Sequence, residues 1–327
     1  MHPEIEDRLT SMSRRGDIQH LLFHGPRGSG KMTLVRHLLE GLYGPGVKQV
    51  TTEKRVVETA SAKQTIEIDV LVSNYHIEVE PSDAGADDTY VVQQAIKEMG
   101  NNGSIAAVFG ERDVTHKTIV LRGAGNISKQ AQAGLRRTME KFTGSCRLIL
   151  VSTSASRVIE PLRSRCVSVR VPLPSAGDLA AALREKKVDD ASLVDRIVES
   201  SGRSISRAMY MAKSGNADRM PWVKYIESVC RGVFLEQSPR KLIDVRDSLN
   251  ELLAAGVPAS VVIKTLTHEL VGHPSLDGED GVKRDIVKCA AVYEHRVCVG
   301  SRNILHMEAF VASFMDLYKR HTVSQFS

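Results

Sequence analysis

A chain of 327 residues, 42% hydrophobic and 25% charged, has the length for two or three domains with buried cores. No stretch approaches the ~18 consecutive apolar residues of a membrane span, and the acidic, polar start from His2 to Asp7 argues against a leader peptide. The five cysteines (Cys146, Cys166, Cys230, Cys289, Cys298) are scattered and form no CxxC pair, which suits reduced thiols in a cytosolic or nuclear compartment and excludes a zinc site or disulfide framework.

In chain order, His20–His24 reads as a buried strand that stops at Gly25. After Lys31, apolar residues recur at helical spacing (Leu34, Val35, Leu38, Leu39, Leu42) as far as Gly44-Pro45-Gly46. Val56-Val57 and Ile66–Val70 read as strands of an inserted hairpin turning at Thr59–Lys63. Tyr75–Val79 alternates as another strand, closed by Pro81–Gly85. A helix is expected from Thr89 to Met99 and a loop over Gly100–Gly103. Then come a strand at Thr118–Leu121, a helix from Ser128 to Lys141 with Ser128 as its N-cap, and strands at Arg147–Val151 and Val167–Val171. Strands alternating with helices predict an α/β fold, a parallel sheet covered by helices on both faces.

Everything beyond Pro172-Leu173-Pro174-Ser175 reads as helix: Asp178–Lys187, Ala191–Ser200, Ser204–Ser214, Trp222–Leu235, Pro239–Ala255, Pro258–Val271, Val282–Val297 and Asn303–Arg320. Ser238-Pro239 is a start signal, with Ser at the N-cap and Pro at the first helical position.

Charge is uneven along this order. Eight acids face two bases from Ser61 to Gly110, whereas eleven Lys/Arg face two acids from Lys117 to Arg170. Such a basic block either meets a polyanion or forms a solvated face.

Gly25-Pro26-Arg27-Gly28-Ser29-Gly30-Lys31 follows a strand and opens a helix, which is the setting of a phosphate-binding loop. Its glycines let backbone N–H groups turn towards phosphate oxygens, the helix N-terminus adds positive potential, and Lys31 reaches the outer phosphates. The metal chemistry is weaker. Met32, a thioether, stands where a Ser or Thr hydroxyl normally holds Mg²⁺, and Thr33 lies a further ~100° round the helix.

Hydrolysis also calls for acids after a later strand, one for Mg²⁺ and one for water. After Thr118–Leu121 the chain instead reads Arg122-Gly123-Ala124-Gly125-Asn126, and no aspartate occurs between Asp113 and Asp178. Nucleotide binding without turnover is the expectation. The rival reading is an active, DNA-stimulated ATPase that takes its acid from Glu111 or Asp113, which precede the strand.

His20–Thr33, Ser73–Gly85, Ala131–Lys141 and Cys146–Val171 resemble the AAA+ module of replication factor C small subunits, subunit 3 in particular. The long matches are Asn74–Gly85, Leu135–Lys141, Arg163-Ser164-Arg165-Cys166, Tyr293–Arg296 and Met307–Val311. The resemblance implies an AAA+ α/β domain at 1–173, a helical lid at 174–217 and a helical collar for oligomerisation at 218–327. It implies a nuclear hetero-pentameric clamp loader that places a sliding clamp on primer–template DNA, with other replication factor C subunits as partners. It implies ATP or ADP, held without hydrolysis, as the ligand of Gly25, Pro26, Arg27, Gly28, Ser29, Gly30, Lys31, Met32 and Thr33, with Mg²⁺ poorly served.

Arg165 corresponds to the finger that acts in a neighbour's ATP site, consistent with a guanidinium stabilising a transferring phosphoryl group. Thr153 falls at the sensor-1 position. Sensor 2 falls on Ser206, with Arg207 beside it, and the family's adenine-packing segment has no counterpart in Met1–Gln19. Arg136, Arg137 and Lys141 lie on the helix that tracks the DNA backbone, a contact independent of base sequence; their rival reading is a solvated face. An alternative loader of the checkpoint type is a further assembly the resemblance allows.

Overall fold

Leu21-Leu22-Phe23 offers no polar side chain to water, so such a run is stable only where both faces of a sheet are covered. In the computed structural model it forms β1 (Leu21–His24), followed by α2 (Lys31–Tyr43). The other strands are β2 (Thr51–Glu58), β3 (Thr65–Val72), β4 (His76–Val79), β5 (Lys117–Leu121), β6 (Cys146–Ser152) and β7 (Val167–Arg170). The structure describes residues 2–58, 65–81, 88–92, 116–142, 146–186, 190–215, 220–300 and 302–326. The expected turn at 59–63, most of the helix expected from Thr89 to Met99, the loop at 100–103, Glu111 and Asp113 lie outside the described residues; 88–92 is helical.

The seven strands form one sheet in the order β2-β3-β4-β5-β6-β1-β7. From β4 to β7 all neighbours are parallel, as expected. The hairpin β2–β3 pairs antiparallel and joins β4 antiparallel, which makes the sheet mixed. Val79 pairs with Leu121, Leu121 with Leu150, and His24 with Ser152, so the C-terminal ends of β4, β5, β6 and β1 share one edge. In open α/β sheets that edge is where ligands bind.

Alternation along the strands divides the core between two faces. Leu22, Ile119, Leu121 and Leu150 pack with Ala131, Leu135 and Met139 of α3 (Lys129–Lys141). Leu21, Phe23, Val120 and Ile149 pack with Leu34, Val35 and Leu38 of α2. Ser128 caps α3 as expected, its Oγ accepting from Ala131 N at 3.1 Å. The cap is itself held by buried Asp88, which accepts from Ser128 Oγ at 2.9 Å.

A helix that the periodicity did not announce, α1 (Pro3–Arg14), covers α2 through Leu9, which is 1% exposed. Its apolar residues are few and sit among charges, so only the packing partner makes the stripe visible. Pro3 opens it at a position where proline costs no hydrogen bond.

After β6, the short α4 (Glu160–Arg163) leads into β7. The helices α5 (Ala176–Glu185), α6 (Ala191–Ser200) and α7 (Ile205–Ser214) then close on a small core of their own: Leu179, Leu183, Val194, Ile197, Ala208 and Met211. Contacts divide the chain into the units Met1–Asp218 and Arg219–Ser327. The second is all helix: α8 (Pro221–Leu235), α9 (Pro239–Ala254), α10 (Ala259–Val271), α11 (Asp280–Val299) and α12 (Asn303–Phe326). Phe310, Phe314, Leu249, Ile263 and Ile286 are buried in its core. The pattern gave each of these helices to within a few residues, except that α12 runs past Arg320 to Phe326.

Candidate functional site

Residues 25–31 join β1 to α2 at the shared C-terminal edge. Gly25 (φ +154°) runs so close to the chain after β7 that a Cβ there would lie 1.9 Å from Val171 O. At Gly28 (φ +76°) a Cβ would lie 1.9 Å from Ser204 Oγ. Both positions therefore demand glycine. Gly30 is the N-cap residue of α2.

Lys31 Nζ donates to Gly25 O at 2.7 Å and Pro26 O at 2.6 Å, so its ammonium lies inside the curl of the loop. Burial, then the charge of Arg27, hold the Lys31 pKa below the usual lysine value. A cation so desolvated gains more from an anion than an exposed one does. Pro26, Arg27 and Thr33 are exposed and Ser29 is fully buried. Met32 turns to the hydrophobic cluster around α2, so its thioether packs as core. Thr153 follows β6 beside the loop, where Gly25 N donates to Ser152 O at 3.3 Å.

Two contacts to this loop escaped the sequence. Ile205 N, at the start of α7, donates to Gly28 O at 2.8 Å, so the small helical cluster seals one side of the loop. His2 Nε2 donates to Ser29 O at 3.0 Å in a buried contact. Their partners are 177 and 27 residues away, beyond any local period. Ser206, at the sensor-2 position, is exposed on α7.

The turn after β5, residues 122–126, carries no carboxylate. Arg122 pairs with Glu80, which follows β4, at 3.3 Å. Gly123 has φ +64°, and a Cβ on Gly125 would lie 2.5 Å from Ser152 Oγ and 2.8 Å from Arg157 Cβ. The backbone has thus settled where side chains fit badly. Among the described residues no group of three or more His, Cys, Asp or Glu could hold a metal ion. Among the described residues, Met32 and this turn leave Mg²⁺ without its usual protein ligands at this edge, so the described residues do not fit that ion.

Arg165 lies between α4 and β7, away from the phosphate loop of its own chain, with its side chain 34% exposed. Its neighbour Cys166 packs against the sheet core, and burial pushes that thiol up to about 12. The arginine therefore sits beside a half-buried thiol of low reactivity. On α3, Ala131, Gln132, Leu135 and Met139 are buried while Arg136, Arg137, Glu140 and Lys141 are exposed. The three cations are all exposed on this helix. Lys141 Nζ also lies 5.2 Å from the Phe142 ring centre.

Two family models match the chain. Residues 222–322 match "Replication factor C subunit 3, C-terminal domain" and residues 1–174 match "DNA polymerase III, delta subunit". Replication factor C subunit 3 of Arabidopsis thaliana is 38% identical, covering 100% of this chain and 95% of that protein. The Homo sapiens protein of the same name is also 38% identical, covering 98% of this chain and 92% of its own length. A solved DNA polymerase III gamma subunit-related protein from Thermotoga maritima, 14% identical, aligns over 95% of this chain and 99% of that one with a TM-score of 0.50. That last likeness is one of fold alone.

Proposed function

The chain belongs to the replication factor C subunit 3 family, and from that membership we propose that it is a clamp-loader subunit that holds nucleotide without hydrolysing it and lends Arg165 to a neighbouring subunit's site. The observation that carries the proposal is a contrast along one sheet edge. A closed phosphate cradle with an inward-turned Lys31 stands beside a turn, residues 122–126, that carries no carboxylate and offers Arg122 instead.

In this reading, ATP or ADP places its phosphates over residues 25–31, where the loop amides, the N-terminus of α2 and Lys31 supply positive potential. Hydrolysis would further need a polarised water and a neutralised leaving group. Met32 and the turn after β5 provide neither, and Glu80, an acid at the same edge, is engaged with Arg122. Arg165 faces away from this loop and suits a partner's phosphoryl group, a contribution worth ~10³–10⁵ in rate where arginine fingers act.

The partners are other replication factor C subunits. The sliding clamp, primer–template DNA read through its backbone by Arg136, Arg137 and Lys141, and a nuclear location belong to the same proposal. The test compares Lys31→Ala with Arg165→Ala in the assembled complex. Lys31→Ala is expected to lower bound nucleotide by one site with turnover largely kept, and Arg165→Ala to lower turnover with binding kept. Turnover by the purified chain, abolished by Lys31→Ala, would overturn the proposal.

A further inference from the structure

Glu140 stands in the last turn of α3, on the surface that exposes Arg136, Arg137 and Lys141. Its Oε1 accepts from Arg165 Nη2 at 2.7 Å and from Arg136 Nε at 3.4 Å. Arg165 Nη1 donates separately to Pro161 O at 2.8 Å. Two acceptors on different nitrogens fix the plane of a guanidinium, and its remaining N–H donors stay available for a phosphate.

An exposed ion pair alone would hold little, but here the two partners sit on elements that are already joined. Buried Gln132, in the first turn of α3, donates to Ile127 O and Arg157 O, both at 3.2 Å, and accepts from Ile159 N at 2.8 Å. Ile159 leads directly into α4 and so towards Arg165. The helix is thus tied to the finger segment at both ends, by Gln132 and by Glu140. The hydrogen bond from Arg165, then that from Arg136, hold the Glu140 carboxyl below its ordinary pKa, so both cations stabilise its charged form.

We propose that Glu140 is the positioning residue of Arg165, and that the oxygen it shares with Arg136 couples phosphate contact on α3 to the orientation of the finger. The proposal rests on the reading that Arg165 serves a neighbouring site. When a DNA phosphate engages Arg136, the pairing within the helix opens. Oε1 then loses one competing donor, and the guanidinium of Arg165 is held more firmly in the plane that presents its other donors outward.

The experiment uses the chain assembled with its partner subunits and measures ATP turnover with and without saturating primer–template DNA. The variants are Glu140→Gln, Arg165→Ala and the double variant. Glu140→Gln is expected to lower the Arg165-dependent part of kcat by roughly 10-fold to 100-fold, the scale of a misplaced catalytic group. KM for ATP and the thermal unfolding midpoint should stay unchanged, and DNA should no longer raise that part of the rate. On the Arg165→Ala background the Glu140 change should add nothing, because both remove one interaction. A merely structural role would instead lower the melting midpoint and add to Arg165→Ala. If Arg165→Ala lowers turnover while Glu140→Gln keeps the full rate and DNA response, the coupling is wrong and the finger stands. If Arg165→Ala changes nothing, both fall.

Discussion

Placing acids in the turn after β5 is expected to damage the protein without making it an ATPase. Gly123→Glu would put a side chain at φ +64°, a left-handed conformation that costs an L residue roughly 1–2 kcal/mol. Gly125→Asp is worse placed. Its Cβ would lie 2.5 Å from Ser152 Oγ and 2.8 Å from Arg157 Cβ. Neither neighbour yields freely: Ser152 Oγ donates to Ser154 O at 2.8 Å, and Arg157 Nη1 donates to Asn126 Oδ1 at 3.1 Å across the same turn. Overpacking of this kind costs about 1–3 kcal/mol. The double variant should therefore lose about 2–5 kcal/mol, a large share of the ~5–15 kcal/mol that holds a domain together. Denaturant unfolding with the two single variants in parallel would measure it, alongside ATP turnover of the purified chain. A double variant as stable as the parent and newly able to hydrolyse ATP would refute the claim that the backbone of this turn excludes the acids.

Two further outcomes follow from buried and exposed charge. His116 is 2% exposed, and burial, with the charge of Arg147, brings its pKa from 6.5 to about 4. Because the folded value is depressed, its neutral form carries the stability, which is fully present above pH 6.5 and is lost as pH falls towards 4. Between pH 7 and 5 this amounts to about 2 kcal/mol. His116→Phe should remove that part of the pH dependence in denaturant unfolding, leaving the slope contributed by buried His20, whose pKa is also lowered; an unchanged slope would show that His116 is already solvated. For DNA, replacing Arg136, Arg137 and Lys141 with Ala in the assembled loader should weaken binding equally on unrelated sequences. The dependence of log K on log salt should become shallower by up to ~2–3 in slope, at ~0.7–0.9 per lost phosphate contact. Anisotropy titrations at several salt concentrations would read it, and an unchanged slope would return these cations to the solvated face.

Local patterning exposed the strands, the phosphate loop and the Ser128 cap because each is a run of neighbours with its own period or motif. Long helices of the second unit were legible for the same reason: Leu242, Val245, Leu249 and Leu252 mark α9 without any partner in view. What stayed hidden were residues whose role depends on distant chain. Gln132 looks like any polar residue of an amphipathic helix, yet it satisfies three backbone groups of two other segments. Glu140 is one of two acids in a basic block, and only the folded chain brings Arg165 to 2.7 Å. Ile205 and His2 at the phosphate loop, and Asp88 beneath Ser128, belong to the same class.

The glycines of the phosphate loop sharpen what an intact motif can mean. Gly25 is required by Val171 O and Gly28 by Ser204 Oγ, contacts made within the protein and not with a ligand. The N-terminus of α7 is likewise hydrogen-bonded to Gly28 O. A chain that had ceased to hydrolyse ATP would still need these glycines to pack the small helical cluster against the sheet edge. Cradle and acids thus answer to different forces: the first is held by packing, the second only by chemistry. The integrity of residues 25–31 therefore argues for a binding-competent shape and says nothing of turnover, whereas the turn at 122–126 bears on turnover directly. If that is right, Gly28→Ala should cost stability through the Ser204 clash whether or not nucleotide is present, and the same loop geometry should persist when nucleotide is removed.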